Sequence, residues 1–182
     1  MAHDGHEHEH HHHHHGDPVT EHRSSAPISV SMYLVTCSDS RDSARDESGA
    51  VMRRLAEHAG HSVAGQCVIR DDAAALSAQI DQAITAGARA IIISGGTGLS
   101  KRDVTVQTVE ALFEKNLDGF GELFRHLSFA EIGTAAMLSR ACAGTYKNAV
   151  IFALPGSPQA VELALSKLIL PELGHLVREL SR

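Results

Sequence analysis

The chain has 182 residues, of which 43% are hydrophobic and 4% aromatic, enough for one globular domain with a mainly aliphatic core. Its formal net charge of −6 argues against a nucleic-acid-binding protein. No apolar run reaches the roughly 18 residues of a membrane span, and the start of the chain lacks the apolar segment of a signal peptide. We therefore expect a cytoplasmic protein with neither nucleic-acid nor membrane partners.

The first part of the chain differs in composition from the rest. Nine of the chain's 14 histidines lie between His3 and His15, with acidic residues among them. Such a segment buries too little apolar surface to fold, so we predict a disordered tail at 1–25 and a folded domain at 26–182. Three interpretations of the tail stay open: an expression tag, a native segment that binds Zn²⁺, Ni²⁺ or Cu²⁺, or a leader without a role.

From Pro27 onward, stretches typical of strands alternate with stretches typical of helices. Strand-like stretches alternate in polarity or form short β-branched runs, and helix-like stretches repeat apolar residues at i, i+4 and i+8. This alternation predicts a three-layer α/β sandwich with a mostly parallel sheet and helices on both faces. In chain order, the predicted elements are strand 28–36, helix 48–60, strand 61–70, helix 73–87, strand 90–93, helices 106–115 and 119–127, strand 149–154, and helices 157–168 and 171–180.

Polar residues or glycines follow each of the four predicted strands. Parallel sheets bind ligands beyond the carboxyl ends of their strands, so we expect these residues to share one site. They are Ser38, Asp39 and Ser40 after the first strand, Asp71 and Asp72 after the second, the loop at 95–98 with Asp103 after the third, and Pro155, Gly156 and Ser157 after the last.

The loop after the third strand is the most informative motif. Glycines let backbone N–H groups approach a phosphate, and the N-terminus of the following predicted helix adds a favourable dipole. We therefore interpret Gly95, Gly96, Thr97 and Gly98 as an anion cradle, with a simple strand-to-helix turn as the alternative. The loop lacks the Gly-Lys-Ser/Thr ending of a P-loop and the Gly-x-Gly-x-x-Gly pattern of dinucleotide sites.

Two carboxylates, Asp71 and Asp103, follow adjacent predicted strands. Carboxylate oxygens beside a phosphate cradle suit Mg²⁺, which keeps several waters and bridges phosphate oxygens. The alternative role of either acid is to cap a helix, and Asp72 is a rival cap for the second helix. Neither Ser38 nor Ser139 has an obvious histidine partner, which argues against a serine hydrolase.

The three cysteines lie far apart, mostly in apolar runs. We interpret Cys37, Cys67 and Cys142 as small buried residues in a reducing compartment and not as a disulfide framework. Cys37 adjoins the expected site, but no positioned base accompanies it, so packing is its expected role.

Four motifs occur in order over roughly residues 30–180. They are 95–105 (Gly-Gly-Thr-Gly-Leu-Ser-Lys-Arg-Asp-Val-Thr), 119–133 (beginning Gly-Phe-Gly-Glu-Leu-Phe-Arg), 137–144 (beginning Met-Leu-Ser-Arg) and 154–158 (Leu-Pro-Gly-Ser-Pro). Together they resemble the MoaB/Mog family of molybdenum cofactor biosynthesis proteins. The second and fourth motifs look closer to the MoaB branch.

This resemblance implies the molybdopterin-binding fold of Mog, usually as a homotrimer or as a hexamer made of two trimers. The implied activity is an adenylylation in which molybdopterin and ATP, with Mg²⁺, give adenylyl-molybdopterin and pyrophosphate. The essential acids of the family fall on Asp71 and Asp103, which are expected to hold Mg²⁺. Other cofactor-biosynthesis proteins are expected as further partners.

The resemblance also implies a set of substrate-binding residues. The glycine loop would cradle phosphate, while Arg102 would neutralise charge or simply be solvated. Ser48 and Gly49 would approach the substrate or only begin their helix. The remaining residues expected to bind the nucleotide or the pterin are Ser38, Asp39, Ser139, Pro155, Gly156 and Ser157.

Two other functions stay open at this point. A non-catalytic binder or carrier of molybdopterin would use the same pocket. A metal-handling adaptor would instead use the histidine-rich tail to deliver a transition metal.

Overall fold

The computed structural model describes residues 29–39 and 43–182. The predicted tail at 1–25 and the first residues of the domain, as well as Ser40, lie outside the described residues. Within the described ranges, no helix is both long enough and apolar enough to cross a membrane.

The described residues form a six-stranded sheet in the order β2-β1-β3-β6-β5-β4. The first four strands of that order pair in parallel, whereas β5 and β4 are antiparallel at one edge. The predicted α/β class and mostly parallel sheet are therefore confirmed. The strands are β1 (Ser31–Cys37), β2 (Ser62–Ile69), β3 (Ala90–Ser94), β4 (Lys115–Asn116), β5 (Cys142–Tyr146) and β6 (Ala149–Leu154).

Helices follow most of the strands. The α-helices are α1 (Glu47–His58), α2 (Ala73–Thr85), α3 (Thr105–Glu110), α4 (Asp118–Ile132), α5 (Pro158–Ala164) and α6 (Leu170–Leu180). Two 3₁₀ turns, Ser43–Arg45 and Gly133–Leu138, precede α1 and follow α4, and a π-helical turn, Leu165–Ile169, joins α5 to α6.

Both faces of the sheet are buried. Successive residues of a strand point to opposite faces, so Met32 and Leu34 of β1 join one apolar cluster while Tyr33 and Val35 join the other. The first cluster includes residues of α1, α4, α5 and α6, and the second includes residues of α2. Burial on both faces explains why β3 consists of a continuous apolar run rather than an alternating one.

The structure differs from the predicted elements at several places. The helix predicted at 106–115 ends at Glu110, the helix predicted at 119–127 continues to Ile132, and strand β4 was not predicted. Strand β5 was not predicted either. The strand contains Gly144, which faces the ring of Phe113 so closely that an added Cβ would lie 2.4 Å from the ring. The helices predicted at 157–168 and 171–180 are joined, because the π-helical turn continues the helical backbone past residue 168.

A two-residue turn connects β5 to β6. Lys147 and Asn148 both have positive φ, 45° and 64°, the backbone that a tight hairpin between twisted strands requires. Asparagine tolerates this conformation better than most residues. Asn148 was therefore the local signal that could have located β5.

Candidate active site at the carboxyl edge of the sheet

A cavity of about 470 Å³ lies beyond the carboxyl ends of β3 and β6. Apolar side chains of α4 and the turn after it, among them Phe124, Ile132 and Leu138, form one wall. Nine of the residues expected from the sequence also line it: Gly95, Gly96, Thr97, Gly98, Asp103, Ser139, Pro155, Gly156 and Ser157. The structure thus brings the glycine loop and the last strand's turn into one site.

Gly95 has a structural role within the loop. Its N–H donates to the Leu154 carbonyl at 3.0 Å, so this group is not free to bind a phosphate. Its φ is +100°, and an added Cβ would lie 2.2 Å from the carbonyl oxygen of Cys37, so no larger residue fits. Of the four N–H groups in the predicted anion cradle, only those of 96–98 are therefore available to a phosphate, because they have no hydrogen-bond partner within the described residues.

Asp71 lies against the same loop although it does not line the cavity. An added Cβ on Gly96 would lie 2.6 Å from Asp71 Oδ1 and 2.3 Å from Thr105 Oγ1. Asp71 Oδ1 is buried and has no hydrogen-bond partner in the described part of the chain. A buried carboxylate oxygen without a partner is costly, which indicates that a ligand or a cation completes this group.

Two neighbouring carboxylates act on Asp71 at this edge. Burial raises the pKa of Asp71, and the negative charges of Asp39 and Asp103 raise it further. Asp72, not Asp71, caps α2, since its side chain accepts a hydrogen bond from the Ala75 N–H at 2.8 Å. Capping therefore does not account for Asp71.

Asp103 closes the turn that follows the glycines. Its Oδ2 accepts from the Ser100 N–H at 2.8 Å and would lie 2.9 Å from a Cβ added to Gly98. It does not cap α3, which begins after Val104 without a side-chain cap. Its carboxylate is thus held beside the loop at the cavity lining.

Asp39, Arg102 and Ser38 lie outside the cavity lining. Arg102 approaches Asp39 at 3.9 Å, with side chains 83% and 44% exposed. Asp39 Oδ1 also accepts a 3.4 Å hydrogen bond from the Asp71 N–H. The Ser38 N–H continues the pairing of β1 with β2 by donating to Ile69. These residues form an outer rim next to Asp71.

Asp46, which the sequence reasoning missed, organises Ser48 and Gly49. This buried carboxylate accepts one bifurcated hydrogen bond from the Thr36 hydroxyl, at 3.0 and 2.9 Å from its two oxygens, and a hydrogen bond from the Gly49 N–H at 2.8 Å. Gly49 consequently faces Asp46 and not the cavity, while Ser48 Oγ donates to the Gly156 carbonyl at 2.8 Å. An aspartate just before a helix is a capping signal that could have identified it.

Arg140 is a second residue that the sequence reasoning did not select. Its Nε donates to the Thr97 carbonyl at 3.1 Å, and its Nη2 donates to Gln107 Oε1 at 3.2 Å. The available signal was its place in the motif at 137–144.

The acids suit a hydrated Mg²⁺ better than a metal enclosed by protein. Within the described ranges, no group of three or more His, Cys, Asp or Glu side chains converges as a metal site. Mg²⁺ needs only one or two carboxylates when waters and phosphate oxygens complete its shell. The unpartnered oxygen of Asp71 and the neighbouring charges of Asp39 and Asp103 fit such an ion.

Cys37 packs beneath the site. It is 5% exposed and belongs to the apolar cluster around α2. Burial raises the pKa of its thiol to about 12, an effect partly offset by the neighbouring Thr105 hydroxyl. The thiol is therefore protonated at neutral pH, in agreement with the expected packing role.

A family model described as a probable molybdopterin binding domain, MoCF_biosynth, matches residues 27–175. The chain belongs to this family. Two relatives named molybdenum cofactor biosynthesis protein B match over 170 residues, 90% of this chain and 98% of their own length. The protein from Bacillus cereus is 47% identical and that from Bacillus subtilis is 43% identical.

Solved structures of the family agree with this assignment. A crystal structure of molybdenum cofactor biosynthesis protein B is 47% identical, with a TM-score of 0.78, and covers 86% of this chain and 99% of its own. The tungsten cofactor synthesizing protein MoaB from Pyrococcus furiosus is 31% identical, with a TM-score of 0.79 and coverages of 86% and 100%. A MogA structure is 28% identical, with a TM-score of 0.75 and coverages of 82% and 99%. The resemblance to the MoaB/Mog family and its fold is therefore confirmed, and the relatives place the chain in molybdenum cofactor biosynthesis.

Proposed function

We propose that this chain is a molybdopterin adenylyltransferase that converts molybdopterin and ATP, with Mg²⁺, to adenylyl-molybdopterin and pyrophosphate. The unpartnered, buried oxygen of Asp71 beside the glycine loop carries the proposal. A carboxylate in that position suits a positive partner, and the adjoining N–H groups of 96–98 suit an anionic one. A phosphate with its magnesium ion satisfies both.

The proposed reaction forms one bond and breaks another. The terminal phosphate oxygen of molybdopterin attacks the α-phosphorus of ATP, the bond between the α- and β-phosphates breaks, and pyrophosphate leaves with the electron pair. Little proton transfer is required, so positioning and charge neutralisation supply most of the rate.

The chain's own residues have separate parts in this scheme. The N–H groups of Gly96, Thr97 and Gly98 donate to phosphate oxygens. Asp71 and Asp103, together with water, would hold Mg²⁺, which would supply positive charge against the phosphates. The apolar wall of α4 suits the flat pterin ring, as is usual for small-molecule sites.

The test is an adenylylation assay with purified protein, molybdopterin, ATP and Mg²⁺. We expect product from the wild type and at least about a hundredfold less from D71A and D103A, because each removes charge stabilisation of the transition state. D72A is the matched control, since its carboxylate only caps α2, and it should keep its activity.

A wild type that binds molybdopterin but yields no product would contradict the proposal and favour the carrier function. Equal activity of D71A and the wild type would show that Asp71 does not hold the metal.

We also propose that the chain is a cytoplasmic homo-oligomer, a trimer or a hexamer. Large apolar side chains that do not line the cavity at the glycine loop are exposed on one segment, α4 and the 3₁₀ turn after it: Leu123, Phe129 and Met137. Exposed apolar side chains concentrated in one region are typical of protein–protein contacts, and a second copy of the chain is the proposed occupant.

A further inference from the structure

Arg140 contacts the glycine loop but does not line the cavity of the proposed phosphate site. It lines a second cavity of about 670 Å³, whereas Thr97 and Gly98 line the first cavity and Arg140 does not. Its guanidinium is held at two points, by the Thr97 carbonyl and by the side chain of Gln107 on α3. Arg140 therefore contacts the loop from outside the lining of the first cavity.

The contact with Thr97 determines the direction of the next N–H group. In a trans peptide the carbonyl of one residue and the N–H of the next point in opposite directions, and the described residues contain no cis peptide bond. A Thr97 carbonyl directed toward Arg140 leaves the Gly98 N–H directed away from Arg140, and Gly98 itself lines the first cavity. This N–H has no other partner within the described residues.

The preceding peptide is fixed in the same way. The Gly96 carbonyl accepts a hydrogen bond from the Thr105 N–H at 3.0 Å, which turns the Thr97 N–H away from the start of α3. Backbone supports this peptide, but only a side chain supports the next one. Because glycine permits many backbone conformations, the peptide before Gly98 would turn readily if Arg140 were absent. A turned peptide would present a carbonyl oxygen to the phosphate.

We infer that Arg140 is a positioning residue, which holds the Thr97–Gly98 peptide so that the Gly98 N–H donates to a bound phosphate group. The inference rests on the proposed function only for the presence of a phosphate in the cavity. It assigns Arg140 no contact with the substrate.

Arg125 provides a matched control for charge. It also lines the second cavity, and its guanidinium lies over Gly121, where an added Cβ would be 3.0 Å from Nη1. Within the described residues, no hydrogen bond or ion pair joins Arg125 to the glycine loop. Removal of Arg125 therefore changes the local charge as removal of Arg140 does, without freeing the Thr97 carbonyl.

The experiment uses the ¹⁵N-labelled full chain with Mg²⁺ and inorganic pyrophosphate as the probe. In the wild type, we expect the Gly98 amide signal to shift on titration. In R140A the signal should already differ without ligand, and the pyrophosphate Kd should rise at least about tenfold, as the loss of one charge-assisted hydrogen bond implies. R125A should keep the wild-type Gly98 signal and a Kd within about twofold.

Three results would overturn the inference. They are equal weakening by R125A and R140A, weakening by R140A with an unchanged Gly98 signal, and no shift of Gly98 in the wild type. If R140A fails to fold, R140K replaces it under the same criteria, because an ammonium group cannot hold Thr97 and Gln107 in the same bidentate way. Arg140-dependent pyrophosphate binding without adenylylation would contradict the proposed function alone.

Discussion

At the residue scale, the adjacent aspartates Asp71 and Asp72 have the same side chain but different roles. Asp72 makes the hydrogen bond that begins α2, so its charge is compensated by backbone N–H groups. Asp71 has a buried oxygen without a partner, and the charges of Asp39 and Asp103 act on it unfavourably. The free protein is therefore destabilised at the residue that the proposed reaction needs most.

This difference predicts the pH dependence of stability. The pKa of Asp71 is raised above 3.8, so the folded state binds its proton more tightly than the unfolded chain does, and stability falls as the pH rises above 3.8. D71N removes this loss of stability, because an asparagine side chain does not ionise. Without metal or ligand, D71N should have a higher Tm than the wild type at pH 7 and an equal Tm well below pH 3.8, by circular dichroism.

The neighbouring residue supplies the control for that measurement. D72A should lose about 1 kcal/mol of stability at pH 7 through the missing helix cap. A Tm of D71N below that of the wild type at pH 7 would refute the account of Asp71 as an uncompensated acid.

Substitution by alanine should have opposite effects on the unfolding free energy at Gly95 and at Gly119. G95A places a Cβ against the Cys37 carbonyl at a positive φ and should cost roughly 3 kcal/mol of unfolding free energy. Gly119 is an exposed residue of α4 with no atom within 4 Å of an added Cβ, so G119A should be neutral or up to about 1 kcal/mol stabilising. Urea denaturation measures both. Similar values for the two variants would contradict the proposed close approach of Gly95 to β1.

At the scale of elements, Asp46 connects the end of β1 to the start of α1. Its carboxylate receives hydrogen bonds from Thr36 of the strand and Gly49 of the helix. The position of α1 in turn sets Ser48, which holds the Gly156 carbonyl at the cavity. One buried side chain thus connects the carboxyl-terminal parts of two strands that are far apart in the sequence, β1 at Thr36 and β6 at Leu154.

We expect D46A to lower the unfolding free energy by about 2–4 kcal/mol, since it removes a helix cap and leaves the buried Thr36 hydroxyl unpaired. The exposed neighbour Glu47 lies in the same first turn, and E47A should change stability by less than about 0.5 kcal/mol. Chemical denaturation compares the two. A loss below 1 kcal/mol in D46A would show that Asp46 does not organise this junction.

At the scale of the whole molecule, the distribution of exposed apolar side chains predicts assembly. Met137 is 78% exposed and Phe129 is 59% exposed in the segment proposed to contact a second copy. Light scattering should give three or six times the 19.4 kDa chain mass for the wild type and a smaller mass for the double variant F129D/M137D.

Leu99 is 71% exposed but lies outside that segment, so L99D is the control and should keep the wild-type mass. A monomeric wild type would contradict the proposed oligomer. An unchanged mass of the double variant would place the contact elsewhere.

Local sequence determined the elements whose signals are short-range. The β-branched run of β3, the apolar repeats of α1 and α2, and the glycine loop predicted an α/β fold with a site at one sheet edge. Such patterns suffice because periodicity reports which faces are buried, whatever the neighbouring element is. Motif order also identified the family correctly.

Tertiary structure decided the features that depend on distant partners. Strand β5 is stabilised by pairing with β6 and by Phe113 over Gly144, contacts that its own five residues do not encode. Packing likewise decides that Asp72 caps α2 while Asp71 does not. It also brings Arg140 into contact with Thr97, which lies 43 residues earlier in the chain. The sequence therefore predicted nine of the residues that line the cavity, but not that Asp39, Asp71 and Arg102 lie outside its lining. Only the folded chain decided which of their polar atoms are satisfied, because a hydrogen bond depends on direction as well as proximity.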